Sequence, residues 1–182
     1  MRVFFAIEFE DELKEALFSI REDIRQHCTG GNFTFKENFH LTLRFIGEQT
    51  QSQTEQLVAV LKEAAVNVQT FELTLNKLGK FDKGNRKIIW VGLQKSKELE
   101  TLYGQLEGVL VSHGYKKEDR AFNPHITLAR EAKIDSFEEI VSKEVVGNLA
   151  VKVKSISLME SKRVDNKLCY VPLVIEELQD LS

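Results

Sequence analysis

The sequence predicts an α+β fold in which helices pack on antiparallel sheets. Short apolar or alternating runs bounded by turn residues, which are typical of strands, are interspersed with stretches whose apolar residues recur at helical spacing. The turn signal Lys83-Gly84-Asn85 joins two of the strand patterns as a hairpin. Because hairpins mixed with helices favour antiparallel sheets over a doubly wound parallel sheet, we expect about four helices and seven strands.

The first half of the chain alternates strands with helices. Strands are expected over residues 2–9, 39–46, 71–78 and 86–93. Helices are expected over residues 11–27, and from a cap at Thr50 or Ser52 to about residue 67. Apolar residues at spacings of four, three and four from Leu13 to Ile24 define the inner face of the first helix. The segment Thr29-Gly30-Gly31 is predicted to end that helix.

The second half continues with two helices and three strands. The helices are expected over residues 96–113 and 134–143. The strands are expected over residues 122–128, 149–159 and 168–175. His113-Gly114 is a usual glycine stop for the first of these helices, and Pro124 is tolerated because proline can begin a strand.

One four-residue pattern occurs twice in the chain, as His40-Leu41-Thr42-Leu43 and as His125-Ile126-Thr127-Leu128, 85 residues apart. In an extended strand alternate side chains face the same side, so each copy presents its imidazole and its hydroxyl together. A predicted helix that ends near a histidine and a glycine precedes each copy, which indicates an internal duplication. Two such strands facing each other would make a two-histidine cleft.

The repeated histidines, His40 and His125, are the candidate catalytic residues. A single strand histidine is more often a satisfied core residue, and the other two histidines lie at predicted helix ends, where exposed carbonyls favour them. With an ordinary pKa of about 6.5, one imidazole can accept a proton while a second, charged one donates a proton. The hydroxyls of Thr42 and Thr127 can donate to oxygens that gain negative charge.

Two arginines follow the motifs. Arg44 shares the parity of His40, so it either extends the same face or is a solvated arginine at a strand edge. Arg130 has the opposite parity to His125, so it reaches the cleft only if the strand ends or bulges after Leu128. Its planar guanidinium suits a phosphate better than a lysine would.

The composition narrows the class of protein. The 25 Lys and Arg against 28 Asp and Glu give a net charge of −3, which argues against binding long nucleic acid through a global positive field. The opening apolar run is shorter than a signal-peptide core or a membrane span, so we expect a cytoplasmic protein without membrane contact. No histidine or cysteine spacing supplies the third and fourth ligands of a zinc site, so we expect no metal.

With these motifs the chain resembles the two-histidine (2H) phosphoesterase superfamily and, within it, the RNA 2′,3′-cyclic phosphodiesterases once called 2′-5′ RNA ligases. The shared features are the opening strand, the residues around both His-x-Thr-x (HxTx) motifs, Trp90 within residues 86–92, and Ser161 followed by Tyr170. The resemblance implies one bilobal domain over residues 1–182. Its two pseudo-symmetric lobes would each be an antiparallel sheet with helices on its outer face, arranged around a central cleft.

The resemblance also implies a hydrolase that opens RNA or nucleotide 2′,3′-cyclic phosphate ends with water to 2′-phosphomonoesters, without a metal or other cofactor. In that reaction His125 would deprotonate the water and His40 would protonate the leaving 3′ oxygen. Thr42, Thr127 and Arg130 are expected to hold the phosphoryl oxygens. The same site would support weak reverse 2′-5′ ligation, since both directions share a transition state.

Two alternatives remain open from the sequence. One is a non-catalytic module that only binds RNA ends, and the other is a phosphodiesterase for another cyclic or 2′,5′-linked nucleotide. We expect the protein to be a monomer.

Overall fold

The computed structural model describes residues 1–144 and 146–180 of the chain. Its helices are α1 (Asp11–Arg25), α2 (Gln51–Ala65), α3 (Lys97–Ser112) and α4 (Phe137–Lys143), with a short 3₁₀ helix at Lys36–Asn38. Its strands are β1 (Arg2–Glu8), β2 (Cys28–Phe33), β3 (His40–Glu48), β4 (Phe71–Lys83), β5 (Arg86–Leu93), β6 (His125–Ile134), β7 (Ala150–Val153), β8 (Ser155–Val164) and β9 (Lys167–Glu177). The predicted domain of residues 1–182 also includes residues 145, 181 and 182, which lie outside the described residues.

These strands form two sheets in which neighbouring strands are antiparallel. The first sheet has the order β3-β1-β8-β9, and the second has the order β2-β6-β5-β4-β7. Each sheet carries one motif, because β3 begins with His40 and β6 begins with His125. This arrangement confirms the predicted α+β class with antiparallel sheets.

An internal repeat relates the two sheets. In each, a strand leads through a long helix to the motif strand, which pairs antiparallel with that first strand: β1, α1 and β3 in one sheet, and β5, α3 and β6 in the other. The chain also crosses between the sheets, since β2 joins the second sheet beside β6 while β8 and β9 complete the first. Each sheet therefore contains strands from both halves of the chain, and β3 and β6 lie against one another.

The hydrophobic core lies on the face of each motif strand that is turned away from the histidines. Leu41 and Ile126 are fully buried there, as the two-residue alternation predicts. Apolar stripes of α1, α2 and α3 cover this core through residues such as Leu17, Leu57 and Leu106, all completely buried. Each buried leucine contributes about 1.5–3 kcal/mol to stability, so the motif strands are held from behind by packing.

Three sequence predictions about the strands are wrong. The segment Thr29-Gly30-Gly31 does not end α1, which already stops at Arg25, but lies inside β2. There β2 passes close to β6, so that a Cβ on Gly31 would lie 3.1 Å from the Cα of Ala132. The strand expected over residues 149–159 divides at Lys154 into β7 and β8, which belong to different sheets. Alternation continues through the break, so the sequence carries no signal for it.

The third error concerns the second motif. The strand expected over residues 122–128 begins only at His125 and continues to Ile134, so α4 starts at Phe137, later than predicted. The stretch after Leu128 contains no turn residue that would end the strand, which continues through it by pairing with both β2 and β5. Among the described helices, none is long and apolar enough to cross a membrane.

Candidate active site

His40 begins β3, and its imidazole is held from three sides. Its Nδ1 lies 2.7 Å from the backbone oxygen of Asn38, and its Nε2 lies 2.9 Å from Oγ1 of Thr42. The rings of Phe4 and Tyr170 pack against the imidazole, with centroid separations of 5.1 and 4.9 Å. The imidazole is thereby fixed with Nε2 directed to the threonine hydroxyl.

Asn38 connects this imidazole to the far strand of the sheet. Its buried side chain donates from Nδ2 to the backbone oxygen of Leu168 at 2.8 Å and accepts from the backbone N–H of Tyr170 at 3.2 Å. The backbone oxygen of the same residue binds His40. Asn38 therefore fixes β9, and the Tyr170 ring on it, relative to the histidine.

His125 is held in the same way on the second sheet. Its Nδ1 lies 2.7 Å from the backbone oxygen of Asn123, and the edge-on ring of Phe81 and the ring of Trp90 lie 5.3 and 6.0 Å away, centroid to centroid. The repeat is thus longer than the HxTx pattern, since both copies read Asn-x-His-x-Thr. Comparison of the residues two positions before each histidine would have found Asn38 and Asn123.

A hydrogen bond between Nδ1 and a backbone oxygen, present at both histidines, fixes their tautomers. A carbonyl oxygen only accepts hydrogen bonds, so Nδ1 is the donor in each case and carries the proton. When the imidazole is neutral, Nε2 is therefore unprotonated and available to take a proton. At His40, the Thr42 hydroxyl donates to that nitrogen in the neutral form.

The two imidazoles share their surroundings with Arg130. Burial is the largest cause that lowers the pKa of both histidines, while the hydrogen bonds to the backbone of Asn38 and Asn123 act in the opposite direction. The charge of Arg130 also lowers both values, and together with burial and the charges of His125 and Lys14 it brings the pKa of His40 to about 4. Arg130 therefore lies within electrostatic range of both imidazoles and disfavours their charged forms, an effect that a bound anion would offset.

A bulge in β6 explains how Arg130 comes to the face of the strand that carries His125 and Thr127. The pairing of β6 with β5 shifts register on both sides of Ala129, so Leu128 and Ala129 both face the core and are fully buried. Alternation then resumes with Arg130 exposed on the side of Thr127, and Glu131 takes a left-handed conformation with a φ of 54°. The bulge after Leu128 that Arg130 needs is present.

The two motif threonines lie on the faces of their histidines. Thr42 is exposed and contacts His40 through its hydroxyl. Thr127 is half-buried, lies opposite Trp90 in the sheet, and is positioned by Thr34, whose hydroxyl donates to the Thr127 backbone oxygen at 3.0 Å. Strand alternation therefore places each hydroxyl on the face of its strand that carries the histidine.

Arg44 fits neither of the two predictions made from the sequence, since it is neither a residue of the cleft nor a solvated arginine at a strand edge. Its Nε donates to Glu107 of α3 at 2.7 Å, its Nη1 to Glu118 at 3.3 Å, and its Nη2 to the backbone oxygen of Lys116 at 2.7 Å. The side chain is only 12% exposed. Because its donors are occupied by this buried network, Arg44 is a structural residue that joins β3 to α3 and to the loop before β6.

Trp90, the only tryptophan, lies flat across two glycines beside His125. A Cβ on Gly79 would come within 2.1 Å of the indole ring, and one on Gly92 within 3.1 Å. The indole Nε1 is buried and has no hydrogen-bond partner among the described residues. Glycine at position 79 is therefore required for the ring to reach this position.

The chemical groups that the two motifs and their surroundings provide are imidazoles, hydroxyls and a guanidinium. Within the described part of the chain, no group of three or more His, Cys, Asp or Glu side chains could hold a metal ion. Imidazoles with an unprotonated Nε2, together with hydroxyl and guanidinium donors for negatively charged oxygens, are groups suited to a reaction at a phosphate.

Known proteins resemble this chain over most of its length. The family model described as the 2′-5′ RNA ligase superfamily matches residues 9–165. The RNA 2′,3′-cyclic phosphodiesterase of Thermotoga maritima is 31% identical over 131 residues, which cover 71% of this chain and 70% of that protein. The protein of the same name from Escherichia coli is 28% identical over 173 residues, or 94% and 93% of the two chains. The crystal structure of E. coli LigT complexed with 3′-AMP superimposes with a TM-score of 0.80 at 26% identity, covering 97% of each chain.

Proposed function

Because the chain belongs to the 2′-5′ RNA ligase superfamily, we propose that it is an RNA 2′,3′-cyclic phosphodiesterase. Its substrate would be RNA or a nucleotide that ends in a 2′,3′-cyclic phosphate, and its product a 2′-phosphomonoester. The observation that carries the proposal is the pair of imidazoles with matching tautomers, both within electrostatic range of Arg130.

In the proposed reaction His125 acts as the base. Its unprotonated Nε2 takes a proton from a water molecule as the water oxygen attacks phosphorus. His40 acts as the acid, giving a proton from Nε2 to the 3′ oxygen as the bond between that oxygen and phosphorus breaks. The phosphate stays on the 2′ oxygen, and one proton transfer at each histidine balances the hydrolysis.

The proposed acid must first become charged, because the pKa of His40 in the free protein is about 4. A bound phosphodiester carries a negative charge, which raises the pKa of a neighbouring imidazole and offsets the effects of burial and Arg130. Substrate binding would thereby charge His40 where the proton is needed. Thr42, Thr127 and Arg130 would hold the phosphoryl oxygens and stabilise the charge that develops on them.

We also propose that the protein acts as a monomer in the cytoplasm. Both histidines and Arg130 come from one chain, so a second copy is not needed to complete the site. Cys28 and Cys169 are both free thiols, as is usual in a reducing compartment. Light scattering coupled to size-exclusion chromatography tests the first part, and a mass near twice the chain mass of 20.9 kDa would contradict it.

The activity is tested with nucleoside 2′,3′-cyclic phosphates in the presence of EDTA, with separation of 2′- and 3′-phosphate products. We expect the 2′-phosphate, and a rate reduced by about 10²- to 10⁴-fold in each of His40→Gln and His125→Gln. His27→Gln is the matched control, because His27 is exposed at the end of α1. Tight binding of cyclic ends without product would favour a binding module, and turnover of only 2′,5′-linked or other cyclic nucleotides would change the substrate class.

A further inference from the structure

A groove of about 460 Å³, separate from the two histidines, lies between α1, the 3₁₀ helix and the start of β9. We propose that this groove binds the RNA chain on the 5′ side of the cyclic phosphate end. The inference rests on the proposed function. A 2′,3′-cyclic phosphate uses both the 2′ and the 3′ oxygen of the last nucleotide, so neither oxygen can carry a further nucleotide. The rest of an RNA substrate therefore leaves the histidines only in the 5′ direction.

Aromatic rings and cations alternate along this groove. The ammonium of Lys167 lies 4.4 Å above the ring of Phe35, and the guanidinium of Arg21 lies 4.4 Å above the ring of Phe18. Phe35 is 41% exposed, which is unusual for so large an apolar side chain. Exposed aromatic faces between basic side chains bind single-stranded nucleic acid, since bases stack on the rings while phosphates meet the cations.

The groove is positive although the whole chain carries a net charge of −3. Four basic side chains line it, and three carboxylates lie beside them. The basic residues are Arg21, Arg25, Lys36 and Lys167, and the carboxylates are Glu15, Glu22 and Glu37. The ion pairs of Arg25 and Lys167 are long, at 3.6 and 3.7 Å, and exposed, so they hold these cations weakly and leave them available to a phosphate.

Arg21 differs from the other three cations because it is buried. Its side chain is only 8% exposed, Nη1 donates to the backbone oxygen of Thr34 at 2.6 Å, and Nη2 pairs with Glu22. Its Nε has no hydrogen-bond partner among the described residues. A guanidinium fixed above an aromatic ring in the wall of the groove is screened by water less than an exposed lysine, and the Glu22 carboxylate offsets part of its charge.

The groove meets the histidine site at the 3₁₀ helix. Glu37 lines the groove and lies three residues before His40, so their Cα atoms are at most about 11 Å apart. Lys167 precedes Leu168, whose backbone oxygen accepts from the Asn38 side chain beside His40. The ammonium of Lys14 donates to the backbone oxygen of Glu37, and its charge lowers the pKa of His40. An RNA end at the histidines therefore has this groove within reach of its preceding nucleotides.

The test compares a cyclic mononucleotide with a six-nucleotide RNA that ends in a 2′,3′-cyclic phosphate. Phe35→Ala should lower kcat/KM for the hexanucleotide by at least about fivefold, while the value for the mononucleotide stays within about twofold. Phe45→Ala is the matched control, because Phe45 is also exposed, at 44%, and also lies under a cation, Arg2, but stands outside the groove. This control should leave both substrates unchanged.

A second variant probes charge. Lys167→Glu should lower kcat/KM for the hexanucleotide. It should also make the plot of log kcat/KM against log salt concentration shallower, by a slope of about 0.7 for each phosphate that is no longer neutralised. Lys95→Glu is the control at an exposed lysine outside the groove. Equal effects on the two substrates, or none on either, would overturn the proposal. Competition by hexaglutamate as strong as that by the RNA would also overturn it, since the groove would then bind acidic chains in general.

Failure of the proposed function gives a different pattern. If the wild-type protein turns over neither substrate, the hydrolase assignment is wrong and the groove is tested by fluorescence anisotropy of a labelled hexanucleotide. Weaker binding to Phe35→Ala than to Phe45→Ala would still support the groove. Equal binding would overturn it.

Discussion

Arg44 and Glu107 form a buried salt bridge, with Nε 2.7 Å from Oε1, that joins the surroundings of the two motifs. Arg44 follows His40 on β3, and its guanidinium also binds the backbone of Lys116 in the loop that leads to His125. Glu107 completes the connection by accepting from the backbone N–H of Glu118 at 3.0 Å. One ion-pair network therefore ties the strand that begins with His40 to the loop that leads to His125.

Removal of Arg44 should destabilise the protein strongly. Arg44→Met leaves the Glu107 carboxylate buried without its partner, which typically costs about 3–5 kcal/mol. The measurement is urea unfolding, with Arg86→Met as the control, because the Arg86–Glu131 pair is exposed and contributes less than about 1 kcal/mol. The double variant Arg44→Met/Glu107→Leu should recover much of the lost unfolding free energy. If neither variant differs from Arg86→Met in unfolding free energy, Arg44 has no structural role.

The two motif asparagines should respond differently to the same substitution. Asn38→Ala leaves the Leu168 carbonyl and the Tyr170 N–H without their partner and should cost about 1–3 kcal/mol. It should also lower kcat by about 10- to 100-fold, because β9, which carries the Tyr170 ring that packs against His40, loses its anchor. Asn123→Ala keeps the backbone oxygen that binds His125, and its side chain is exposed, so little change is expected. Unfolding and single-turnover kinetics measure both, and equal effects would argue against the anchoring role of Asn38.

Gly79→Ala should displace Trp90. The new Cβ would lie 2.1 Å from the indole ring, so the ring must move away from its place beside His125, at a cost of about 1–3 kcal/mol. Tryptophan fluorescence reports the change directly, since the chain has one tryptophan. Gly104→Ala in α3 meets nothing within 4 Å and should be neutral or stabilising by about 0.4–1 kcal/mol. Unchanged emission from Gly79→Ala would show that the indole is not confined against this glycine.

Periodicity and turn signals predicted the fold class and most elements because those signals are local. The alternation in the two HxTx strands placed Leu41 and Ile126 in the core and the histidines on the opposite face. The repeat itself predicted that both histidines belong to equivalent strands, and β3 and β6 are such strands. Amphipathic spacing also predicted α1, α2 and α3 to within a few residues.

What the sequence did not predict depends on contacts between distant residues. β2 was missed because its pairing with β6 is only visible in three dimensions. The partner of Arg44 is Glu107, 63 residues away, so local patterns could not reveal it. The face on which Arg130 lies depends on a bulge that forms in the pairing of β6 with β5. Asn38 itself could have been predicted, because both copies of the repeat read Asn-x-His-x-Thr. Its hydrogen bonds to Leu168 and Tyr170 on β9 could not, because those residues are distant in the sequence.

The low pKa of His40 should make the folded protein sensitive to acid. The pKa is about 4 in the folded state against about 6.5 in the unfolded chain, so the unfolded state binds more protons between these values. This contribution to stability is complete above pH 6.5 and is lost as the pH falls toward 4, by up to about 3 kcal/mol. His40→Gln lacks the titrating group, so the difference in unfolding free energy between wild type and variant should change by that amount between pH 7 and 4. A difference that stays constant with pH would contradict the lowered pKa.

The central claim is that His40 and His125 bind one phosphate between them, and NMR titration of the two imidazoles tests it most directly. The pKa of each histidine is measured in the free protein and in the presence of a nucleoside 2′-monophosphate. We expect both values to lie below 6.5 in the free protein and to rise together when the phosphate binds, because one anion relieves the repulsion that Arg130 imposes on both rings. A rise at only one histidine, or at neither while the nucleotide is bound, would contradict a shared site.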